Sequence, residues 1–258
     1  MPISIQASLD YFFEHPTDVL LQLEAAMIPE QIVSDPFIDI SPVDHFARVP
    51  AQATIGERIW LRVQGQLRVD YRATVDVRRR VSDCLSLPKV PAHQLPGEVV
   101  DYLMPSRYCQ SDRLESLAVT EFGGLHGGEQ VIAIRDWVTD QLSYVPGSSN
   151  ATTTAVDTYV DRQGVCRDYA HLVIALVRAC GIPARMASVY APGVDPPDFH
   201  AVAEVFLGGE WHLIDATGMA TEAEMAKIGI GRDAADVSFL SAFGTAVMNS
   251  QSVSVERV

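Results

Sequence analysis

The residues best suited to chemistry in this sequence are a cysteine, a histidine and an aspartate that lie far apart in the chain. Cys166 stands in Gly-Val-Cys-Arg-Asp-Tyr-Ala-His-Leu at 164–172, His200 in Asp-Phe-His-Ala at 198–201, and Asp215 in Leu-Ile-Asp-Ala-Thr at 213–217. A thiol, an imidazole and a carboxylate supply the nucleophile, the base and the orienting group of an acyl-transfer site. The sequence therefore predicts a Cys-His-Asp site.

The neighbours of Cys166 predict that it begins a helix. Apolar residues recur after it at helical spacing, at Ala170, Val173, Ile174 and Val177, and the pattern stops at Gly181-Ile182-Pro183. Gly164 is expected to end the preceding helix in the left-handed conformation. Free N–H groups and the helix dipole stabilise a thiolate at such a position. A free cysteine is more often a small buried hydrophobic residue, so a reactive thiol depends on the other two residues.

Two predicted strands bring His200 and Asp215 together. Residues 200–207 and 211–215 flank Gly208-Gly209, a pair that suits a two-residue hairpin turn with positive φ. That turn sets Leu207 opposite Glu210, which makes His200 and Asp215 diagonal neighbours on one face, with Cα atoms roughly 7 to 8 Å apart. A three-residue loop would turn Asp215 away from His200. The site therefore predicts a two-residue turn.

These motifs, with Gly-Ile-Pro-Ala-Arg at 181–185 and Glu204, resemble the transglutaminase-like superfamily, in particular its bacterial branch described as cysteine proteases. The resemblance covers about residues 107–218. It implies a papain-like α+β core in which Cys166 is the nucleophile, His200 the base and Asp215 the orienting group. Many members have His-Ala-Trp and Asp-Pro-Thr, where this chain has His-Ala-Val at 200–202 and Asp-Ala-Thr at 215–217. The wall beside the histidine therefore differs from that of better-known members.

The resemblance also implies that the polar loop 147–154 lies near the nucleophile. Tyr144, Asn150 and Gln163 then become candidates for substrate contact or for donation to the oxyanion, although capping or a surface position explains each of them equally well. The backbone N–H of Cys166 is a further donor, because it belongs to a helix N-terminus.

Composition restricts the partners and the compartment. The chain has 258 residues, a formal charge of −14 and 48% hydrophobic residues, which argues against nucleic acid and anionic membrane as main partners. The four cysteines form no Cys-x-x-Cys pair, so neither a metal site nor a disulfide framework is predicted, and the acyl-transfer chemistry needs no cofactor. The first residues lack a signal-peptide pattern and no apolar run suits a membrane span. A cytoplasmic protein is therefore expected.

The predicted fold class is α+β, with a transglutaminase-like catalytic domain at 101–258 preceded by an antiparallel β-sandwich-like domain at 1–100. Odd-numbered apolar residues alternate with polar ones through 3–11 and 59–77, with Gly65 at a bend or bulge. A proline-bearing stretch at 87–97 is the expected linker. Helices are predicted over 129–143, 155–163 and 222–228, a turn at 229–233, and strands within 238–248 and 252–255.

The leading functional prediction is a thiol-dependent acyl-transfer enzyme that acts on a peptide or protein amide through a thioester. Water as the acceptor makes it a cysteine peptidase or amidase, and an amine makes it a protein-glutamine transglutaminase. The triad is common to both, and the family resemblance favours hydrolysis. A catalytically silent binding or scaffold protein is the alternative class, since the tryptophan after the histidine is missing. The sequence carries no signal for the oligomeric state.

Overall fold

The computed structural model describes residues 2–258, which form two antiparallel sheets, a short parallel pair and five α-helices. The strands are β1 (Pro2–Leu21), β2 (Gln31–Ile40), β3 (His45–Pro50), β4 (Glu57–Val77), β5 (Ser143–Tyr144), β6 (Gln163–Gly164), β7 (Ala184–Tyr190), β8 (His200–Leu207), β9 (Glu210–Ile214), β10 (Ala226–Gly231), β11 (Leu240–Ala242) and β12 (Val247–Arg257). The helices are α1 (Gly97–Val100), α2 (Glu115–Phe122), α3 (Gly127–Gln141), α4 (Ala155–Asp161) and α5 (Cys166–Ala179). The predicted α+β class is confirmed.

The first sheet is built on β1 and β4, which pair with each other along most of their length. Strands β11 and β12 pair with β1 on its other edge, and β2 and β3 pair with β4. The odd-numbered apolar residues of both long strands are buried, as the period-two pattern predicts. Opposite Gly65, whose φ is +86°, the register shifts between Phe13 and Thr17, so the predicted bulge is confirmed.

The first sheet is one hydrogen-bonded sheet, and part of the layer over its buried face comes from the second sheet. Residues of the second sheet and of the loop before β8 pack into the same core, namely Tyr190, Phe199, Ala226 and Ile228. Alternation shows that a strand has a buried face, but it does not show what covers that face. The two sheets therefore share a core.

The last two strands lie in the first sheet although they follow the second one in the chain. Strand β12 pairs with the first half of β1, from Ile3 opposite Arg257 to Phe12 opposite Val247. A division of the chain near residue 100 stays a prediction, and any such division has to group 240–257 with the N-terminal strands. Sequence alternation reveals a strand at 252–255, but not the edge that it joins.

The second sheet has the order β10-β7-β8-β9, and α5 packs on one of its faces. Residues 168–178 of α5 are all buried, as expected of a helix enclosed on every side. The face of β8 that carries Ala201, Ala203, Val205 and Leu207 contributes to the same core, as predicted. Among the described residues, no helix has the length and apolar character that crossing a membrane requires.

Three local predictions are wrong. The segment 222–228 forms only a 3-10 turn at Glu222–Glu224. Ala226–Gly231 is a strand that pairs with β7, so the turn predicted at 229–233 can begin only after Gly231. Pairing with a sheet edge here overrides a weak helical preference. The left-handed residue before the cysteine is Arg162, with φ +56°, and not Gly164.

Gly164 is needed for a different reason, which is the close approach of Asp168. A Cβ atom on Gly164 would lie 2.6 Å from the Asp168 Cβ and 3.0 Å from its Oδ2. Asp168 is fully buried and accepts a hydrogen bond from the Val165 N–H at 2.9 Å. The missing side chain at 164 therefore allows the start of α5 to be capped.

We expect Gly164→Ala to lower the free energy of unfolding by about 1 to 3 kcal/mol, because the new methyl group overpacks against Asp168. Urea denaturation checks this. Gly124→Ala is the matched control, since a Cβ there meets no atom within 4 Å and the residue lacks a positive φ. Equal stability of the two variants would contradict the role given to Gly164.

Candidate active site

Cys166 is the first residue of α5, as the sequence predicts, and its side chain is half-buried. The residue after it ties the helix start to the loop before α4. The Arg167 guanidinium donates to Asp168 Oδ1 at 3.0 Å, to Ser149 Oγ at 3.2 Å and to the Asn150 carbonyl at 2.9 Å. The loop is thereby held beside the thiol.

The hairpin of β8 and β9 has the predicted two-residue turn. Leu207 lies opposite Glu210, and Gly208 and Gly209 have φ angles of +61° and +94°. This register brings His200 Nε2 within 2.9 Å of Asp215 Oδ2, with both side chains almost fully buried. The predicted pairing of the imidazole with the carboxylate is confirmed.

The Asp215 carboxylate is fixed by further donors. Its Oδ1 accepts from the Thr217 N–H at 2.8 Å and from the Thr217 hydroxyl at 2.7 Å, and its Oδ2 also accepts from the Ala220 N–H at 3.1 Å. Burial opposes the charge, but the His200 and Thr217 contacts outweigh it and hold the pKa of Asp215 below its ordinary value. Asp215 is therefore an ionised and oriented partner for the imidazole.

The surroundings of His200 favour its protonated form. Burial lowers its pKa, yet hydrogen bonds and charges from Asp215 and Cys166 outweigh this effect and raise the pKa of His200 to about 9. Nδ1 is buried and makes no hydrogen bond within residues 2–258. The Cys166 Sγ also lies 4.0 Å from the Phe199 carbonyl oxygen. The free nitrogen of the ring is thus left for the thiol.

A cavity of about 450 Å³ opens over Cys166 and His200. Its wall combines the loop before α4, the start of α5, strands β7 and β8, and the segment before β11. The lining residues include Ser149, Arg167, Asp198 and Phe199. A larger cavity of about 570 Å³ borders Asp215 from the other side, but touches neither the thiol nor the imidazole. We therefore take the smaller cavity as the cleft.

Of the three other candidate side chains, the structure brings one to the thiol. Burial, and next the charge of Cys166, raise the pKa of Tyr144 to about 12, so its hydroxyl is a donor beside the nucleophile at neutral pH. Asn150 accepts from Thr152 N and Oγ1 within its own turn, and Gln163 is exposed in β6. Neither lines the cleft. A local turn and an outward strand position explain why these two do not reach the thiol.

The remaining titratable residues near the site have structural contacts. His171 is buried, accepts from the Ala234 N–H at 3.1 Å and stacks on Tyr108, as expected from its place on α5. His212 approaches the Leu207 carbonyl at 3.3 Å. Glu204 is fully buried and pairs with Arg185 at 2.6 Å and with Lys227 at 2.5 Å.

Sequence reasoning missed two charged residues that shape the cleft. Arg167 follows the nucleophile directly, and Asp198 precedes His200 by two positions. Each lies within two residues of Cys166 or His200, the residues for which the motifs were recognised. This proximity is the signal in the sequence that could have identified them. Their contacts depend on a loop and on β12, which the motifs do not describe.

The fold and the site together define a thiol-bearing α+β protein of the papain type, and comparisons with known proteins agree. The family model of the transglutaminase-like superfamily matches residues 118–216. The crystal structure of a "putative cysteine protease" from Cytophaga hutchinsonii is 36% identical, with a TM-score of 0.92, over 99% of this chain and 90% of that one. The chain belongs to the transglutaminase-like superfamily, a family of thiol-dependent enzymes.

Curated relatives match over a shorter stretch. An uncharacterised protein of Mycobacterium leprae is 30% identical over 116 residues, which is 42% of this chain and 42% of the relative. An uncharacterised protein of Mycobacterium tuberculosis is 32% identical over 111 residues, which is 37% of this chain and 35% of the relative. The matched region thus spans about two fifths of these relatives.

We expect the free energy of unfolding to fall as the pH rises from 6.5 to about 9. The folded pKa of His200, about 9, exceeds its ordinary value of 6.5. The stabilisation by its proton is therefore complete below pH 6.5 and is lost as the pH passes 9. Urea denaturation at a series of pH values measures the slope, and His200→Gln should flatten it.

Asp215→Asn is the second variant for this prediction. Removal of the carboxylate removes a hydrogen bond and a charge that favour the imidazolium, so NMR titration should show a lower pKa of His200 than in the wild type. A His200→Gln protein that keeps the wild-type slope would contradict the proton uptake.

Proposed function

We propose that the protein is a thiol-dependent amide hydrolase, a cysteine peptidase or amidase, with Cys166 as nucleophile, His200 as acid and base, and Asp215 as orienting group. One observation carries the proposal: His200 donates Nε2–H to Asp215 at 2.9 Å while its buried Nδ1 is left free beside a cysteine at a helix start. An orienter, a base and a nucleophile in this order suit acyl transfer.

In the proposed reaction the Cys166 thiolate attacks the amide carbonyl carbon, and the carbonyl electron pair moves to oxygen. We assign the Cys166 N–H, at the positive end of α5, as one donor to this oxyanion and the Tyr144 hydroxyl as a second. When the tetrahedral intermediate collapses, the C–N bond breaks and the His200 imidazolium protonates the leaving amine. A thioester remains on Cys166.

The second half of the reaction returns the enzyme to its starting state. Neutral His200 takes a proton from water, whose oxygen attacks the thioester carbon. Collapse then breaks the C–S bond, which releases the carboxylic acid and regenerates the thiolate and the imidazolium. Asp215 stays ionised throughout and stabilises the imidazolium in both halves.

Hydrolysis is preferred over transfer to an amine for two reasons. The Cytophaga hutchinsonii protein, which matches nearly the whole chain, is described as a "putative cysteine protease". Water also reaches the open cleft around the thiol, whereas an amine acceptor needs a site of its own. A peptide or protein amide is the proposed substrate. The cytoplasmic location and the domain boundary near residue 100 stay predictions.

We expect iodoacetamide at pH 7 to modify Cys166 faster than the three other cysteines. Burial raises the pKa of Cys84 and of Cys180 to about 11, and raises that of the fully buried Cys109 further. His200 is the proposed base for Cys166, so His200→Ala should slow its modification roughly tenfold or more. Peptide mass spectrometry gives the four rates. Equal, slow modification of all four would favour a silent binding protein.

A panel of peptide and isopeptide amides tests the reaction itself. We expect wild-type protein to release product without an added amine, and the rate to fall by about 10²- to 10⁴-fold in His200→Ala, as for loss of a general base. Cys166→Ala should abolish turnover. Cys180→Ala, at the far end of the same helix, is the matched control and should retain activity. Product formation only in the presence of an amine would overturn hydrolysis in favour of transamidation.

A further inference from the structure

We propose that Asp198 binds an ammonium group of the substrate beside the scissile amide, so that the cleft selects amides carrying a positive charge at this place. The inference rests on the proposed function and names the substrate class of the same cleft. It is carried by the position of Asp198, by its anchored carboxylate and by the charges around it.

Asp198 stands next to the reacting groups. It lines the cleft together with Cys166 and His200. The following residue, Phe199, presents its carbonyl to the thiol at 4.0 Å, and His200 comes one residue later. Asp198 therefore belongs to the same wall of the cleft as the carbonyl that faces the thiol.

The carboxylate is fixed by one oxygen and open at the other. Oδ1 accepts from the Phe199 N–H at 2.7 Å and from Gln251 Nε2 at 2.5 Å. Oδ2 accepts no hydrogen bond from the described part of the chain, and the side chain is exposed. Gln251 belongs to β12, so the first sheet holds the acid in place. Such an arrangement presents one oriented acceptor, which suits a single charge-assisted hydrogen bond.

No cation of the protein neutralises Asp198. Within residues 2–258, neither a lysine nor an arginine forms an ion pair with it. The two cationic groups that line the cleft, Arg167 and the protonated His200, are paired with Asp168 at 3.0 Å and with Asp215 at 2.9 Å. A second cavity of about 350 Å³ also borders Asp198, and Glu256 lies on its wall. Among the described residues that line the cleft, Asp198 is therefore the charged group without an oppositely charged partner.

The charge on Asp198 is also incompletely compensated by its neighbours. Although the residue is exposed, the surrounding protein removes part of the hydration of the carboxylate, and this raises the pKa of Asp198 by more than the hydrogen bonds from Phe199 and Gln251 lower it. A cation bound at Oδ2 would offset the loss of solvation. An ammonium group fits this requirement with one bond, whereas a metal ion needs several ligands. An anionic substrate group would be repelled.

Modification of Cys166 with reagents of different charge tests whether Asp198 attracts a cation, and it does so without knowledge of the natural substrate. The probes are three methanethiosulfonates: the cationic aminoethyl, the neutral methyl and the anionic sulfonatoethyl reagent. In each case the thiolate attacks the sulfenyl sulfur, a disulfide forms and methanesulfinate leaves. We expect wild-type Cys166 to react fastest with the cationic reagent. In Asp198→Asn the ratio of cationic to neutral rates should fall roughly 5- to 10-fold, as for one charge at this range.

Asp195→Asn is the matched control, since it removes the same charge from the same exposed loop but does not line the cleft. It should keep the wild-type ratio, which separates the local effect from the net charge of −14. Equal ratios in Asp198→Asn and Asp195→Asn would overturn the inference. Slow reaction of wild-type Cys166 with all three reagents would instead overturn the proposed function.

Peptide amides that carry lysine or norleucine on either side of the scissile bond extend the test to turnover. These side chains have the same carbon chain and differ by the ammonium group. Wild-type protein should show a kcat/KM roughly 10- to 100-fold higher for lysine on one side, and Asp198→Asn should lose that preference. Equal kcat/KM for both residues on both sides would overturn the inference while leaving the hydrolase proposal intact. A charge preference confined to an added amine would overturn it too, because the ammonium would then belong to the acceptor.

Discussion

The hydrogen bond between His200 and Asp215 is the constraint on which the rest of the site depends. The register of one hairpin brings the two residues together, and the donors from Thr217 and Ala220 then fix the carboxylate. A slip of one residue would turn the carboxylate to the opposite face of the sheet. The glycine pair at 208–209 excludes that slip, because both residues adopt positive φ angles that other residues adopt only with strain. The glycine pair thus determines how the His200 and Asp215 side chains lie relative to each other.

The register of the hairpin could be predicted from the sequence because each pattern on which it rests is local. Turn length, strand alternation and the helical periodicity after Cys166 each depend on a few consecutive residues. The partners of β12, the pairing of β10 with β7 and the exact contacts of the loop 147–151 depend on residues far away in the chain, which a single sequence does not connect. For this reason Tyr144 could be foreseen as a neighbour of the thiol only through family resemblance. Asn150 and Gln163 do not line the cleft, and a part for them in substrate contact stays a prediction.

The first turn of α5 contains a structural ion pair that also affects the electrostatics of the cleft. Its first turn holds a buried carboxylate, Asp168, that caps the helix and pairs with Arg167. Unpaired, such a charge would cost several kcal/mol. The pairing keeps Arg167 from acting as a free cation beside Cys166, so the thiol is influenced mainly by the helix N-terminus and by His200. The electrostatics of the cleft therefore follow from a structural ion pair as much as from the reacting groups.

The return of β12 to the edge of β1 has a temporal consequence. Strand β1 is made first and β12 last, with the whole of the thiol-bearing region between them. Non-local pairing of this kind forms late, since the intervening chain must be closed into a loop before any contact is gained. Gln251, which holds Asp198 at the cleft, arrives with that final strand. During synthesis Cys166 therefore leaves the ribosome before β12, and the Gln251 that it carries, can complete this side of the cleft.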